Sequence, residues 1–354
     1  MFKARLMIDK CSDYLLHKNK DKNILYKNNK NLWWSPELNR WMCSNPDTIR
    51  LILNDANYAV HDYKIDTILQ RFNFELQHVS RLVDYFPIAK NGDAHKAIRK
   101  RSAVEILKNS DAALETFTTV LDSRMQLLSV HQSADIVKDI LRPSLTACLL
   151  VLSGINNLAP HISFDSLSQI LDETLSLNKR IQINKIIAEI LNSFPENMND
   201  DDKYFRISLL ALGADSLIGT ITESVAYILS KNQDKSCSNI AWDSEIPSTG
   251  VPVIERISIR DNTMGGVNVL SGQRVRLYLD SAGYQQSEFP SYAQIYFATG
   301  VHTCLGMPIG RKIWDIVKSR FEKLEKKLII NTMEYRTPDN VFNIYESIKV
   351  DIYD

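Results

Sequence analysis

Apolar side chains recur with helical spacing along most of the first two thirds of this 354-residue chain. That period predicts helices over 93–108, 111–127, 134–153, 166–193 and 201–231. Ahead of them, Arg40-Trp41-Met42-Cys43 reads as a strand, and Asn45-Pro46-Asp47 opens a capped helix that closes at Asn54. Between 60 and 92 the pattern lapses. Phe72, Phe74, Tyr85 and Phe86 stand among polar residues, with Pro87 and Gly92 as breakers. This predicts an irregular aromatic loop that either faces a substrate or packs its own side chains. After Pro247 the period shortens to two, and 253–259, 266–270 and 274–279 read as short strands with Gly and Asn turns between them. A helix over 307–328 and a strand-rich tail to Ile352 close the chain. The fold class is therefore mostly α with a small β portion. No Pro/Gly/Ser linker divides it, so 1–354 is expected to form a single domain.

Composition narrows the function classes. Lys and Arg total 42 against 42 Asp and Glu, a formal charge of zero that gives no field for nucleic acid or a membrane surface. The Lys/Asn-rich tract 18–31 reads as solvated surface. The five cysteines, at 11, 43, 148, 237 and 304, show neither disulfide-framework nor zinc-site spacing, as expected of reduced thiols in a cytoplasm. The N-terminal residues lack the apolar core of a signal peptide, and the long apolar stretch 207–229 carries Asp215 and Glu223, a poor membrane span. The expectation is a cytoplasmic protein without a membrane anchor.

One segment concentrates chemistry: Phe297-Ala298-Thr299-Gly300-Val301-His302-Thr303-Cys304-Leu305-Gly306. It places a cysteine in a glycine-flanked loop leading into the helix that begins at Met307. Unpaired N–H groups at a helix N-terminus favour a thiolate by about 0.3–1 kcal/mol. Gly300 permits a tight turn and Gly306 lets a flat partner approach the backbone, while Phe297 can shield the sulfur and His302 offers a donor. Such a loop suits a haem iron held by cysteine thiolate. The alternative is an inert buried cysteine before a helix.

The pattern F-x-x-G-x-H-x-C-x-G resembles the cysteine-ligand loop of the cytochrome P-450 superfamily. The resemblance extends along the chain: 134–143 is similar to the start of that family's E helix, and Gly265 to Val275 to its β-hairpin. It implies the cytochrome P-450 fold, haem b as cofactor and Cys304 as the axial ligand. His95 and Arg99, in an H-x-x-x-R spacing, together with Arg256 and His302, stand where the family places haem-propionate donors. Leu212-Gly213-Ala214-Asp215-Ser216 resembles the distal motif A-G-x-[D/E]-T. Gly213 would leave room for oxygen, with Asp215 and Ser216 relaying protons. Ser216 replaces the usual threonine, and the alternative is that it bonds back to its own helix while Asp215 is a surface charge. The residue pair found in peroxide-driven members, Arg-Pro, is not present here.

The resemblance implies a monooxygenase that oxidises a small apolar or aromatic molecule, in secondary metabolism, with O2 and electrons from a ferredoxin or flavodoxin. Docking is expected near Lys96, Lys100, Arg101, Arg311 and Lys312, a group that also suits plain solvated surface. Two other functions stay open: coupling, cyclisation or dehydration on the same haem without oxygen insertion, and a non-catalytic auxiliary role. One departure is marked. The family's E-x-x-R falls on Glu245-Ile246-Pro247-Ser248, where serine replaces arginine and proline interrupts the helix. The second arginine of that network, in P-x-R-F, is absent as well. A shortened helix is expected there, with Glu245 exposed or re-paired.

Overall fold

Strands β1 (Trp33–Ser35) and β2 (Arg40–Cys43) lead into helix α1 (Pro46–Asn54). Asn45 caps α1 by accepting from the Thr48 N–H at 2.9 Å, and Pro46 occupies the first turn. The computed structural model describes the chain from Leu32 onward, apart from 37, 62–75, 156–157, 159–161, 163, 166, 173–174, 286–291 and 337–340. The Lys/Asn-rich tract, Phe72 and Phe74 lie outside the described residues. Strand β3 (Tyr58–Ala59) follows α1.

The expected irregular stretch contains helix α2 (Gln77–Val83), which buries Val79, Leu82 and Val83. Its N-terminus is capped from a distance, because the amides of His78 and Val79 both donate to Asn184 Oδ1 at 3.0 and 3.1 Å. The next two predicted helices are one rod, α3 (Gly92–Met125). The polar pair at 109–110 does not break it. Asn109 donates to Glu105 Oε1 and the Leu152 carbonyl, each at 3.2 Å, and Ser110 bonds back to Ile106. Strand β4 (Ser133–Asp135) and a wide turn (Ile136–Leu141) replace the front of the next expected helix, leaving α4 (Arg142–Ser153) with Pro143 in its first turn. The stretch 166–193 divides into a 3-10 turn (Leu167–Leu171) and α5 (Leu177–Asn192), capped by Ser176.

Helix α6 (Asp200–Lys231) carries three aspartates in its first turn, complementing the helix dipole. Its length and mean hydropathy of 1.3 would fit a membrane span, but 67% of that window is buried inside the protein. It packs in the large core with α2, α4 and α5 and the C-terminal strands.

Beyond α6 come β5 (Val253–Ser258), the hairpin β6 (Asn262–Met264) and β7 (Val267–Val269), β8 (Arg274–Tyr278) and α7 (Leu279–Gln285). The chain ends with α8 (Met307–Phe321), β9 (Lys327–Tyr335) and β10 (Tyr345–Tyr353). A five-stranded sheet has the order β1-β2-β8-β5-β3, with β2 and β8 parallel, and β4-β10-β9 form a second sheet. In β5 the alternation sends Glu255 and Arg256 to opposite faces. Glu255 lies opposite Arg276 and pairs with Arg40, Arg274 and Arg276. Burial opposes its charge, but the three guanidiniums hold its carboxyl below the usual range.

The shortened helix expected before Pro252 does not form. Among the described residues, 241–252 contain no helix, and the segment crosses α6 as an extended strap. Gly219 and Gly250 allow the crossing: a Cβ on Gly250 would lie 2.5 Å from the Gly219 carbonyl carbon.

Candidate active site

The cysteine loop is tied on three sides. Two residues with positive φ, Ala298 (57°) and Gly300 (76°), wind it tightly. The left-handed conformation costs a non-glycine residue about 1–2 kcal/mol, so Ala298 stores strain that its surroundings must hold. At Gly300 a side chain is excluded, since a Cβ would sit 2.4 Å from the Leu53 carbonyl oxygen at the end of α1. Asn54 of α1 donates to Thr299 Oγ1 at 3.0 Å. Within the loop, the Cys304 amide donates to the Phe297 carbonyl at 2.8 Å, and Arg99 of α3 donates to the Thr303 carbonyl. Phe297 is half-buried and reaches under α8, with its ring 3.7 Å from where a Cβ on Gly310 would be.

Cys304 lies just before α8 and presents accessible surface, although protein atoms crowd its sulfur. Burial pushes its thiol up from the ordinary value. The Gly306 and Met307 amides and the Arg99 charge act the other way and do not prevail. The helix-terminus effect exists, but by itself it does not make a thiolate. Gly306 has an ordinary φ of −79°, and a Cβ there would meet Cys304 Sγ at 3.6 Å as its nearest contact. The glycine thus leaves the sulfur's flank open to a flat group.

His95, Arg99, Arg256 and His302 come from α3, β5 and the loop and meet in one cluster. The imidazole rings of His95 and His302 lie 4.1 Å apart between centroids. Burial first, then the Arg256, His95 and Arg99 charges, lower the His302 pKa to about 3. His95 is lowered by burial, Arg99 and Arg256. Both imidazoles are therefore neutral at pH 7, and the cluster's positive charge resides on the two arginines. His95 Nε2 is buried without a hydrogen-bond partner among the described residues. An orphaned imidazole nitrogen beside two guanidiniums fits the carboxylates of a haem placed against Cys304.

On α6 the distal motif has different contacts from those expected. Asp215 is buried, 1% exposed, and its oxygens accept from Arg336 at 2.8 and 2.9 Å. Ser168 also donates to it, and Arg336 donates on to the Asp165 carbonyl. Asp215 is thus neither a surface charge nor an uncommitted proton carrier. Ser216 bonds back to Leu212 and Gly213 carbonyls at 2.8 and 3.3 Å, the alternative its sequence context left open. The Cβ position of Gly213 faces Leu149 of α4, 3.0 Å away, so a side chain there would press on that helix. Sequence reasoning missed Asn54, Ser168 and Arg336. No local pattern marks them, because each acts across more than 40 residues of chain.

The basic group expected to receive a redox protein is partly spent on neighbours. Lys96 pairs with Asp93, Arg101 with Asp202, and Arg311 with Glu245, while Lys100 and Lys312 are exposed. A surface groove of about 460 Å³ runs past Lys100, Arg101 and Val104, beside α3 and not at the sulfur.

No protein-family model matches the chain. A curated cytochrome P-450 109 of Bacillus spizizenii is 27% identical over 126 residues, 30% of this chain and 31% of that protein, so the match spans about a third of the relative's length. Among solved structures, P-450BioI, crystallised with a hexadec-9Z-enoic acid ligated acyl carrier protein, superposes with a TM-score of 0.73 at 16% identity, covering 96% of this chain and all (100%) of that one. A thermophilic cytochrome P-450 from Sulfolobus tokodaii gives 0.68 at 17% identity, covering 94% and 99%. With these neighbours matched along nearly its full length, the chain has the cytochrome P-450 fold.

Proposed function

We propose that the chain is a haem-thiolate monooxygenase that oxidises a small apolar or aromatic molecule in a biosynthetic pathway, with O2 and electrons delivered by a ferredoxin or flavodoxin. The observation that carries this reading is the gathering of the Arg99 and Arg256 guanidiniums and the orphaned His95 nitrogen beside the cysteine loop, with the Arg99 charge acting on the Cys304 sulfur. When bound, haem supplies an iron whose thiolate ligand favours O–O cleavage. The protein's residues do the rest. Cys304 gives up its proton on ligation, since burial alone keeps it a thiol. Arg99 and Arg256 bind the propionates, and His95 and His302 add N–H donors. Arg99 couples the two halves of the site, because it also holds the loop at the Thr303 carbonyl. Asp215 and Ser216 remain the proposed proton route, provided the Arg336 pair opens during turnover.

The second reading, coupling or ring closure on the same haem without oxygen insertion, draws support from that closed pair, which withholds a carboxylate from the distal side. Reduced protein under carbon monoxide is expected to show the red-shifted Soret band of thiolate-ligated haem. Cys304→Ala should lose that band, while Cys43→Ala, Cys148→Ala and Cys237→Ala keep it. A wild type that takes up no haem would leave the auxiliary role standing and end both enzyme readings.

A further inference from the structure

The strap over 243–252 touches α8, the entrance to the cysteine loop and α6. Trp314 of α8 donates to the Asp243 carbonyl at 3.1 Å, and Arg311 of α8 lies 3.3 Å from Glu245. Tyr296, at the entrance to the cysteine loop, donates to the Pro247 carbonyl at 3.3 Å. On the other side, Ser224 of α6 donates to the Ser248 carbonyl at 3.3 Å, and the Gly250 amide donates to Thr220 Oγ1 at 3.0 Å. The Gly250 carbonyl accepts from the Asn343 amide at 2.9 Å, and the Pro252 carbonyl from Leu279 at 2.8 Å. The strap then continues into β5, which carries Arg256.

Two features distinguish this from ordinary coil. First, its middle is buried where a coil is usually exposed: Ile246 is 1% and Thr249 2% exposed. Three of the segment's carbonyls accept from the side chains of Trp314, Tyr296 and Ser224, and two from the Asn343 and Leu279 amides. Second, its contact with α6 is backbone on backbone. A Cβ on Gly219 would lie 2.5 Å from the Asn343 carbonyl oxygen and 3.0 Å from Gly250 Cα. Thr220 completes the contact, because its hydroxyl accepts from Gly250 and donates to the Ser216 carbonyl at 2.7 Å. One hydroxyl therefore links the strap to the distal motif.

We infer that this strap is the brace that fixes α8 and its cysteine relative to α6, in place of the glutamate–arginine network missing here, with Thr220 as its positioning residue. The inference rests on the haem-thiolate reading. It predicts that the brace governs whether Cys304 stays on the iron, and only secondarily whether the chain folds.

The test compares the full-length wild type with Thr220→Val, which keeps shape but cannot accept from Gly250, and Thr220→Ser, which restores the hydroxyl. Far-ultraviolet dichroism reports folding, pyridine-haemochrome content reports haem, and the reduced carbon-monoxide spectrum reports the thiolate-ligated fraction. Losing one buried hydrogen bond shifts an equilibrium about fivefold. Thr220→Val should thus fold and bind haem, while its ratio of thiolate-free to thiolate-ligated haem rises about fivefold. Thr220→Ser should match wild type. If Thr220→Val does not fold, Ser224→Ala removes a weaker strap bond and should move the same ratio in the same direction. Haem-loaded Thr220→Val with an unchanged ratio would overturn the inference alone, as would a Ser224→Ala ratio unchanged in its place. A haem-free wild type would overturn the functional reading and this inference with it.

Discussion

Asp215 and Arg336 form a buried pair, 2% and 13% exposed at their side chains, that joins the distal helix to the end of β9. A buried pair adds little net stability, but removing one partner strands the other charge at a cost of about 3–5 kcal/mol. Arg336→Gln should therefore lower unfolding stability by that amount in urea melts. Pairing it with Asp215→Asn should cost less than the sum of the two single changes, because the stranded charge is gone. A loss under about 1 kcal/mol for Arg336→Gln would mean that water reaches the pair. At this scale the sequence was readable where neighbours act on each other. The cysteine loop and the His95–Arg99 spacing were visible because a turn and a helix repeat fix them locally. The partner of Asp215 was not, because Arg336 is 121 residues away and nothing near either residue announces the other.

Among elements, those marked by a long apolar period or a local cap were legible: α6 and most of α3 by the first, α1 by the second, fall close to where the pattern placed them. Those set by tertiary contact were not. Helix α2 depends on Asn184 for its cap, and the strap became extended because Pro247 and two close-packed backbones exclude a helix where a family resemblance suggests one. The strap's ion pair of Glu245 with Arg311, at 3.3 Å, is about a third exposed on each side, 32% and 36%. Water screens such a pair, so Glu245→Ala should cost under about 1 kcal/mol and leave haem content unchanged. Loss of haem in that variant would show that the side chain, and not the strap's backbone, carries the brace.

For the whole molecule, one route for acidification is the half-buried imidazole of His78. Burial and the Arg81 charge lower the pKa of His78 from its ordinary 6.5, while Asp200 opposes them, and its ring nitrogen lies 2.5 Å from the Tyr204 hydroxyl. A group with a depressed pKa binds fewer protons folded than unfolded. Its stabilisation is therefore complete above about pH 6.5 and is lost as pH falls toward the folded value. The melting temperature should drop between about pH 7 and pH 5, and His78→Gln, read by the same calorimetric scan, should flatten part of that slope. An identical slope in the variant would mean that other groups carry the whole effect.

Helix α3 spans 34 residues, a rod of about 51 Å at 1.5 Å per residue. It touches the cysteine segment at two widely separated points. Near its start Arg99 grips the Thr303 carbonyl, and near its end Asp122 takes a fork of two bonds, 2.5 and 3.1 Å, from Arg320 at the far end of α8. The two helices with their two ties make a closed frame, like a girder bolted to a beam at both ends. Such a frame resists sliding of α8 along α3, and after Gly92 no glycine or proline interrupts the beam. Slack in the cysteine's position then enters from outside the frame, across the strap that ties α8 to α6 or at the seam where the loop rests on α1, which Asn54 and Gly300 hold shut.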